Sequence, residues 1–233
     1  MSLAPISMVI PVLNEAENLR LLLPHLLTYC PPHSEVIVVD GGSTDDSKAV
    51  VASFPSVTWV PSPVPGRSRQ LNLGVSLARH EVLYFIHADT LPPATFAADI
   101  FDGIQAGFPC GSYRSWFPEG PWIMRFNAWL TRFNLLFCRG GDQSIYVTRP
   151  LFEQTGGFRE DYLIMEDYDF LAKVRKLAPF RVIPKKIRIS CRKYDQNSYL
   201  KVNLANITVV TLYRFGASQQ RLVDTYRRML NYR

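Results

Sequence analysis

The chain has 233 residues, 47% of them hydrophobic and 20% charged, and its 26 Lys and Arg against 20 Asp and Glu give a formal net charge of +6. This composition excludes a disordered or collagen-like chain and describes a globular protein with a sizeable core, long enough for one large α/β domain or two small ones. The mild basic balance suits an anionic ligand such as nucleic acid, a phosphorylated small molecule or an acidic membrane face, although a generically basic surface gives the same figure.

The opening stretch MSLAPISMVIPVLNE has no basic segment ahead of an apolar core, so no signal peptide is expected. Its run ISMVIPV (6–12) is apolar throughout and predicts a strand buried on both faces. EAENLRLLLPHLLTYC carries leucines at helical spacing, with Glu15 and Glu17 near its start. EVIVVD (35–40) is the second buried strand. STDDSKAVVASF is the next helix, with Ser43 the expected N-cap and Asp45 and Asp46 in the first turn. VTWVPS is a short third strand, SRQLNLGVSLARH a helix and EVLYFIHAD (81–89) the fourth strand. The β-α-β-α-β-α-β order predicts a mostly parallel, Rossmann-like sheet with helices on both faces, in which ligands sit beyond the carboxyl ends of the strands.

After residue 93 the rhythm changes, which divides one continuous domain into halves at 1–93 and 94–233. ATFAADIFDGIQAG reads as a helix and CGSYRSWF as a strand. PWIMRFNAWLTRFNLLF reads as an aromatic-rich amphipathic helix, and GGDQSIYVTRPLFEQTGGF as a glycine turn, a strand and a short helix ended by Gly156 and Gly157. MEDYDFLAKVRKL is a helix opened by acids, RVIPKKIRIS a strand, and the remainder helical with a basic tail. No run reaches 18 apolar residues. The nearest, VNLANITVVTLYRFG, is interrupted by Asn203, Asn206 and Arg214, so no spanning helix is expected. The four cysteines, Cys30, Cys110, Cys138 and Cys191, form no CxxC pair, which argues against zinc or thioredoxin-like chemistry and for free thiols in a reducing cytosol.

Several residues stand where chemistry would be placed. Asp89 ends a core strand ahead of Pro92 and Pro93, where a carboxylate can hold a hard divalent cation against phosphate oxygens. His87, two residues earlier, shares its side if the extended geometry holds, and an imidazole beside a carboxylate suits Mn²⁺ somewhat better than Mg²⁺. The plainer reading has Asp89 capping a turn and His87 packed. Asp40, followed by Gly41 and Gly42, can accept from a ribose hydroxyl or base N–H, or can simply close an Asx-type turn. Arg67 and Arg69 open a helix, where cations oppose the dipole unless an anion is bound nearby. Glu166, Asp167 and Asp169 open another, where the dipole keeps them ionised, and ordinary capping accounts for them equally. Gly140, Gly141 and Asp142 form either a binding lip or a bare turn. Trp122, Phe126, Trp129, Phe133 and Phe137, at helical spacing, read as core or a dimer face. The alternative is a platform for a sugar ring, a lipid-like acceptor or the membrane surface.

Taken in order, SMVIPVLNEAENL, VIVVDGGSTDDS, GRSRQLNLG, YFIHADT, GGDQ ahead of a strand and MEDYDF resemble the family-two glycosyltransferases of the GT-A fold, over most of residues 5–190. The resemblance is closest to a compact, soluble bacterial-type subgroup with HADT in place of the usual Asp-x-Asp. It implies an inverting, metal-assisted transfer of a sugar from a nucleotide-diphosphate donor to a hydroxyl acceptor, either a sugar or a lipid-linked molecule, with Mn²⁺ or Mg²⁺ as the cation. By the same resemblance Pro11, Asn14 and Glu15 line the nucleoside pocket and Asp40 contacts base or ribose. Arg67, Arg69 and Asn72 flank the nucleotide, and Arg192 is a mobile clamp near the diphosphate. Asp89 is the metal carboxylate with His87 beside it, and Asp167, after Glu166, is the catalytic base. His87 stands where the family usually has an Asp, which removes one negative charge from the site.

Two other readings compete. A sugar-phosphate nucleotidyltransferase would carry a glycine- and lysine-rich signature where this chain has PVLNEAEN, and a catalytically silent nucleotide-sugar binding protein is favoured only by His87. The scattered basic residues argue against nucleic acid. A cytoplasmic location is expected, with the basic tail and aromatic helix permitting peripheral contact with the inner membrane face or a homodimer.

Overall fold

The computed structural model describes residues 3–118, 120, 122–139, 141–191 and 197–230. The expected strands of the first half form, the first three with nearly the expected bounds and the fourth shorter: β1 (Ile6–Val12), β2 (Glu35–Asp40), β3 (Val57–Pro61) and β4 (Val82–Phe85). They alternate with α1 (Ala16–Tyr29), α2 (Ser47–Ala52) and α3 (Arg67–Leu77). There follow β5 (Thr90–Leu91), α4 (Phe96–Gln105), β6 (Cys110–Trp116), α5 (Trp122–Leu130), β7 (Ile145–Thr148) and α6 (Arg149–Thr155). The chain continues through α7 (Glu166–Leu177), β8 (Phe180–Ile189), α8 (Tyr199–Arg214) and α9 (Gln219–Met229). Among the described residues the eight strands make one sheet in the order β3-β2-β1-β4-β7-β6-β8-β5.

The sheet is α/β and mostly parallel, as expected. β1 pairs in parallel with β2 and β4, β2 with β3, and β6 with β8, while β7 lies antiparallel between β4 and β6 and β5 antiparallel on β8. The carboxyl ends of β1 to β4 therefore share one rim. The start of β7 shares it too, because Ile145 is opposite Phe85.

Both faces are covered. Ile6, Met8, Ile10 and Val12 pack with Leu19, Leu22, Leu23 and Leu26 of α1 and with residues of α2 and α4. Val9, Ile37, Val39, Leu83 and Phe85 pack on the other side with α3, α6 and the α7 residues Phe170, Leu171 and Val174. This two-sided burial is why the central strands are apolar at every position rather than at alternate ones. Pro11 is tolerated inside β1 for a related reason. Val9 O accepts from Ile86 N–H, so odd residues of β1 turn their backbone groups toward β4, and at Pro11 that strand has already ended.

Three local expectations are corrected. The fourth strand stops at Phe85, and residues 87–90 form a tight turn in which Thr90 N–H and Oγ1–H both donate to His87 O, at 3.1 and 2.8 Å. Ser43 is not the cap of α2, which begins at Ser47, and Asp45 and Asp46 lie ahead of the helix. The aromatic helix ends at Leu130 rather than running on to Phe137. Thr131 turns inward, accepting from Ser115 N–H at 3.0 Å and donating to Ala128 O at 2.6 Å, and the buried Arg139 takes the carbonyls of Thr131 and Phe133 that a further helical turn would need. The aromatic stripe is not core: Trp122, Phe126, Trp129, Phe133 and Phe137 are all exposed.

Candidate active site

The turns after β1 and β2 are fastened to each other. Asn14 adopts a left-handed backbone (φ 57°), and its side-chain carbonyl accepts from Thr44 N–H at 2.8 Å and Asp45 N–H at 3.3 Å. In return Ser43 Oγ accepts from Asn14 N–H at 2.9 Å, Ser47 Oγ from Glu15 N–H at 3.0 Å, and Asp45 Oδ2 from Ala16 N–H at 3.0 Å. Partial burial alone would raise the Asp45 carboxyl, but hydrogen bonds from Ser47 and Ala16 outweigh it and hold the group below the ordinary carboxylate range. Asp40 is buried, and both its oxygens accept from Ser43 N–H, at 3.0 and 3.2 Å, while the Ser43 hydroxyl donates at 2.5 Å. The Asx-type turn is thus present, and Asp40 is rigidly aimed by it. Beneath, Gln70 Nε2–H₂ donates to Val12 O at 2.9 Å and Val39 O at 2.7 Å, sealing the fork between β1 and β2. Sequence reasoning missed Ser43, Ser47 and Gln70 as parts of the site. A polar residue in each turn and a buried glutamine one turn into α3 were the available signals.

At the end of β4 the side chains alternate. Ile86 and Ala88 are buried against the α1 and α4 face, while His87 and Asp89 are half-buried. The turn is pinned from two sides, because Ser190 N–H donates to Asp89 O at 2.9 Å and Thr90 pairs with Ile189. Pro92 is used as well, its carbonyl 2.8 Å from His25 Nε2. Arg192 and Gly140 lie outside the described residues.

The acids opening α7 reach this rim through α3. Asn72 gives its amide to Phe158 O (2.8 Å) and Glu160 Oε1 (3.0 Å) and accepts from Phe158 N–H (3.1 Å). One turn earlier Ser68 Oγ–H donates to Tyr162 O at 3.3 Å, and at the helix start Arg67 Nη1 meets Glu166 Oε1 at 3.1 Å. Residues 158–166 therefore run back along α3 toward the rim, and α7 begins there. Met165 takes a left-handed backbone (φ 68°) at that point, and Gln219 accepts from Leu163 and Ile164 N–H at 3.0 and 3.3 Å. The three acids are not equivalent. Glu166 is 3% exposed and bound to Arg67, Asp169 is paired with Lys173 at 2.9 Å, and Asp167 is half-buried between them. Arg67 and Arg69 stand at i, i+2 and so face apart on the helix, and Arg69 donates to Pro65 O at 3.4 Å.

Beside the start of β7, Ser144 also takes a left-handed backbone (φ 51°) and bonds the buried Tyr84 hydroxyl at 2.9 Å. Asn14, Met165 and Ser144 make three of the four such non-glycine residues described, and all three lie at this rim. Backbone strain of this kind gathers where geometry is functionally constrained. Arg139, below the loop, donates to Ser112 Oγ at 3.2 Å, and burial pushes its guanidinium down to about 10.

Among the described residues no group of three or more His, Cys, Asp or Glu could hold a metal by itself. One carboxylate and one imidazole at Asp89 and His87 fit a cation held jointly with a substrate's phosphates, as Mg²⁺ and related ions commonly are, and do not fit an all-protein cage.

A sequence model of glycosyl transferase family 2 matches residues 7–183. An uncharacterised protein of Mycobacterium tuberculosis is 24% identical over 210 residues, which cover 79% of this chain and just under two thirds (66%) of that relative. Among solved structures, a mannosyltransferase of Pyrobaculum calidifontis in complex with GDP-Man and Mn²⁺ superposes with a TM-score of 0.69 at 20% identity, covering 97% of this chain and 72% of that one. Residues 1–349 of TarS of S. aureus, in complex with UDP-GlcNAc, superpose with a TM-score of 0.67 at 15% identity, covering 97% and 71%.

Proposed function

The chain belongs to glycosyl transferase family 2, and on that premise we propose that this glycosyltransferase moves a sugar from a nucleotide-diphosphate donor to a hydroxyl acceptor with inversion and with the help of a divalent cation. Asn14, Glu15 and Asp40 bind the nucleoside, with Pro11 in the wall beneath them. The cation lies between Asp89, with His87 beside it, and the donor's diphosphate, where it would offset charge on the leaving group. Asp167 accepts the proton of the attacking hydroxyl. Glu166, buried and bonded to Arg67, anchors the start of α7 and so positions Asp167. Asn72 contributes by holding the segment that delivers Asp167, not by touching the nucleotide. Single displacement needs no enzyme nucleophile.

The observation that supports this reading best is the ladder from Asn72 through Ser68 to Arg67, which carries the start of α7 to the rim where β1, β2 and β4 end. The test is a thermal-shift screen of GDP-, UDP- and dTDP-sugars with Mn²⁺ or Mg²⁺. A donor at about a hundred times its Kd adds about 2.7 kcal/mol, which raises Tm by roughly 5–10 °C in a chain of this size. One nucleotide class should do this, and the shift should shrink in chelator. No shift with any donor, with or without metal, would refute the reading. A shift without donor hydrolysis or transfer would leave a silent binding protein.

A further inference from the structure

On α5 the usual arrangement is inverted. Met124 and Ala128 face the core, while Trp122 (76% exposed), Phe126 (55%) and Trp129 (44%) face water at positions i, i+4 and i+7, and Phe133 (42%), just past the helix end, is exposed beside them. The rings are ordered among themselves: Phe126 stacks on Trp129 at 6.0 Å, and Phe133 meets Trp129 edge-on at 5.2 Å. Beside this helix lies α8, joined to it by Asn127 Nδ2 to Asn203 Oδ1 at 2.5 Å. It buries Val202, Ala205 and Val209 and exposes Leu200, Leu204 and Ile207 in a second stripe. Both stripes are exposed on helices joined at Asn127 and Asn203, and large apolar side chains gathered at a surface in this way mark a site of interaction.

Exposed cations accompany both stripes. Arg125, Arg132, Lys201 and Arg214 are exposed, Arg132 lies 4.6 Å over the Trp129 ring, and neither residues 122–139 nor 197–218 contain an Asp or Glu. Exposed tryptophan and leucine accompanied by cations match the chemistry of an anionic bilayer surface, with rings at the headgroup level and guanidinium groups on the phosphates. A second copy of the chain fits less well, because a two-fold interface would bring these cations together. No helix among the described residues is long and apolar enough to cross a membrane, so the contact is with the surface.

We propose that the α5–α8 face docks the protein on anionic lipid bilayers. The claim is independent of the transfer reaction, but α5 and α8 follow strands β6 and β8, which both extend to the catalytic rim, so docking holds that rim close to the lipid headgroups. Sedimentation of the full chain with vesicles tests it. Binding is expected with phosphatidylcholine vesicles containing about 30% phosphatidylglycerol, and should be at least about tenfold weaker with phosphatidylcholine alone or in high salt. Trp122→Ser with Phe126→Ser should lower binding about tenfold or more, as should Arg125→Glu with Arg132→Glu, each with an unchanged melting temperature. Leu21→Ser, at an exposed leucine on α1, should change nothing. Failure to bind charged vesicles, or binding that ignores both double substitutions, overturns the proposal. So does a dimer by analytical ultracentrifugation that the Trp122 and Phe126 substitutions dissolve while the wild type ignores vesicles.

Discussion

Asp167 follows directly on the buried Glu166 in the first turn of α7. Asp167→Asn keeps the shape and removes the proton acceptor. Turnover should fall by about a hundredfold to ten-thousandfold while donor affinity stays within about twofold, which steady-state kinetics and a donor titration would check. Glu35 offers a prediction in pH. Its carboxylate accepts from Ser7 Oγ–H at 2.7 Å, Arg79 N–H at 2.7 Å and Arg79 Nε–H at 2.9 Å. Burial would raise this carboxyl, but those donors outweigh it and hold it below the ordinary value. A lowered folded-state pKa stabilises the fold above the unfolded-state value of about 4.3, and the gain is lost as pH falls through the folded value. Glu35→Gln should therefore cost about 1–2 kcal/mol at pH 7, and the two melting curves should converge as the pH falls below the folded-state value. At this scale the sequence revealed carboxylates at strand and helix ends, because the rules for where charge can sit are local. It did not reveal that Arg67 and Glu166, or Asn72 and Glu160, are partners, since the pairs are separated by 99 and 88 residues and only the folded topology joins them.

Elements were legible to the degree that their burial is two-sided or their stops are chemical. β1 and β2 form over the very residues expected, because continuous apolar runs bounded by polar turns admit few other structures, and α6 ends on the left-handed Gly156 as glycine after a short helix predicts. The end of α5 was not legible, since it depends on Arg139 competing for carbonyls from outside the helix, and the aromatic period looked the same whether it faced core or water. The close seating of α3 on the sheet depends on Gly74, where a Cβ would overlap Val9 Cγ1 and press on Val39. Gly74→Ala should lift the helix and cost about 1–3 kcal/mol in a denaturant titration. Because α3 carries Asn72, Ser68 and Arg67, donor turnover should fall with it, whereas an alanine at the solvent-facing Ser76 should do neither.

In the whole molecule, β7 forms a seam in the sheet, inserted antiparallel between β4 and β6. Its start brings the Gly141–Ser144 loop to the rim shared by β1 to β4. That seam has a temporal consequence. As the chain leaves the ribosome, β1 to β4 are complete long before residues 145–148 appear, and β6 is made in between with no neighbour to lie against. At ordinary rates of translation, both ribbons wait for seconds with unpaired amides open to water or a passing chaperone. A polypeptide stopped at residue 144 should accordingly come out as soluble aggregates on gel filtration, and one extended through Ile189 should not. The nascent protein is most exposed to misassembly just before its last central strand is threaded into place.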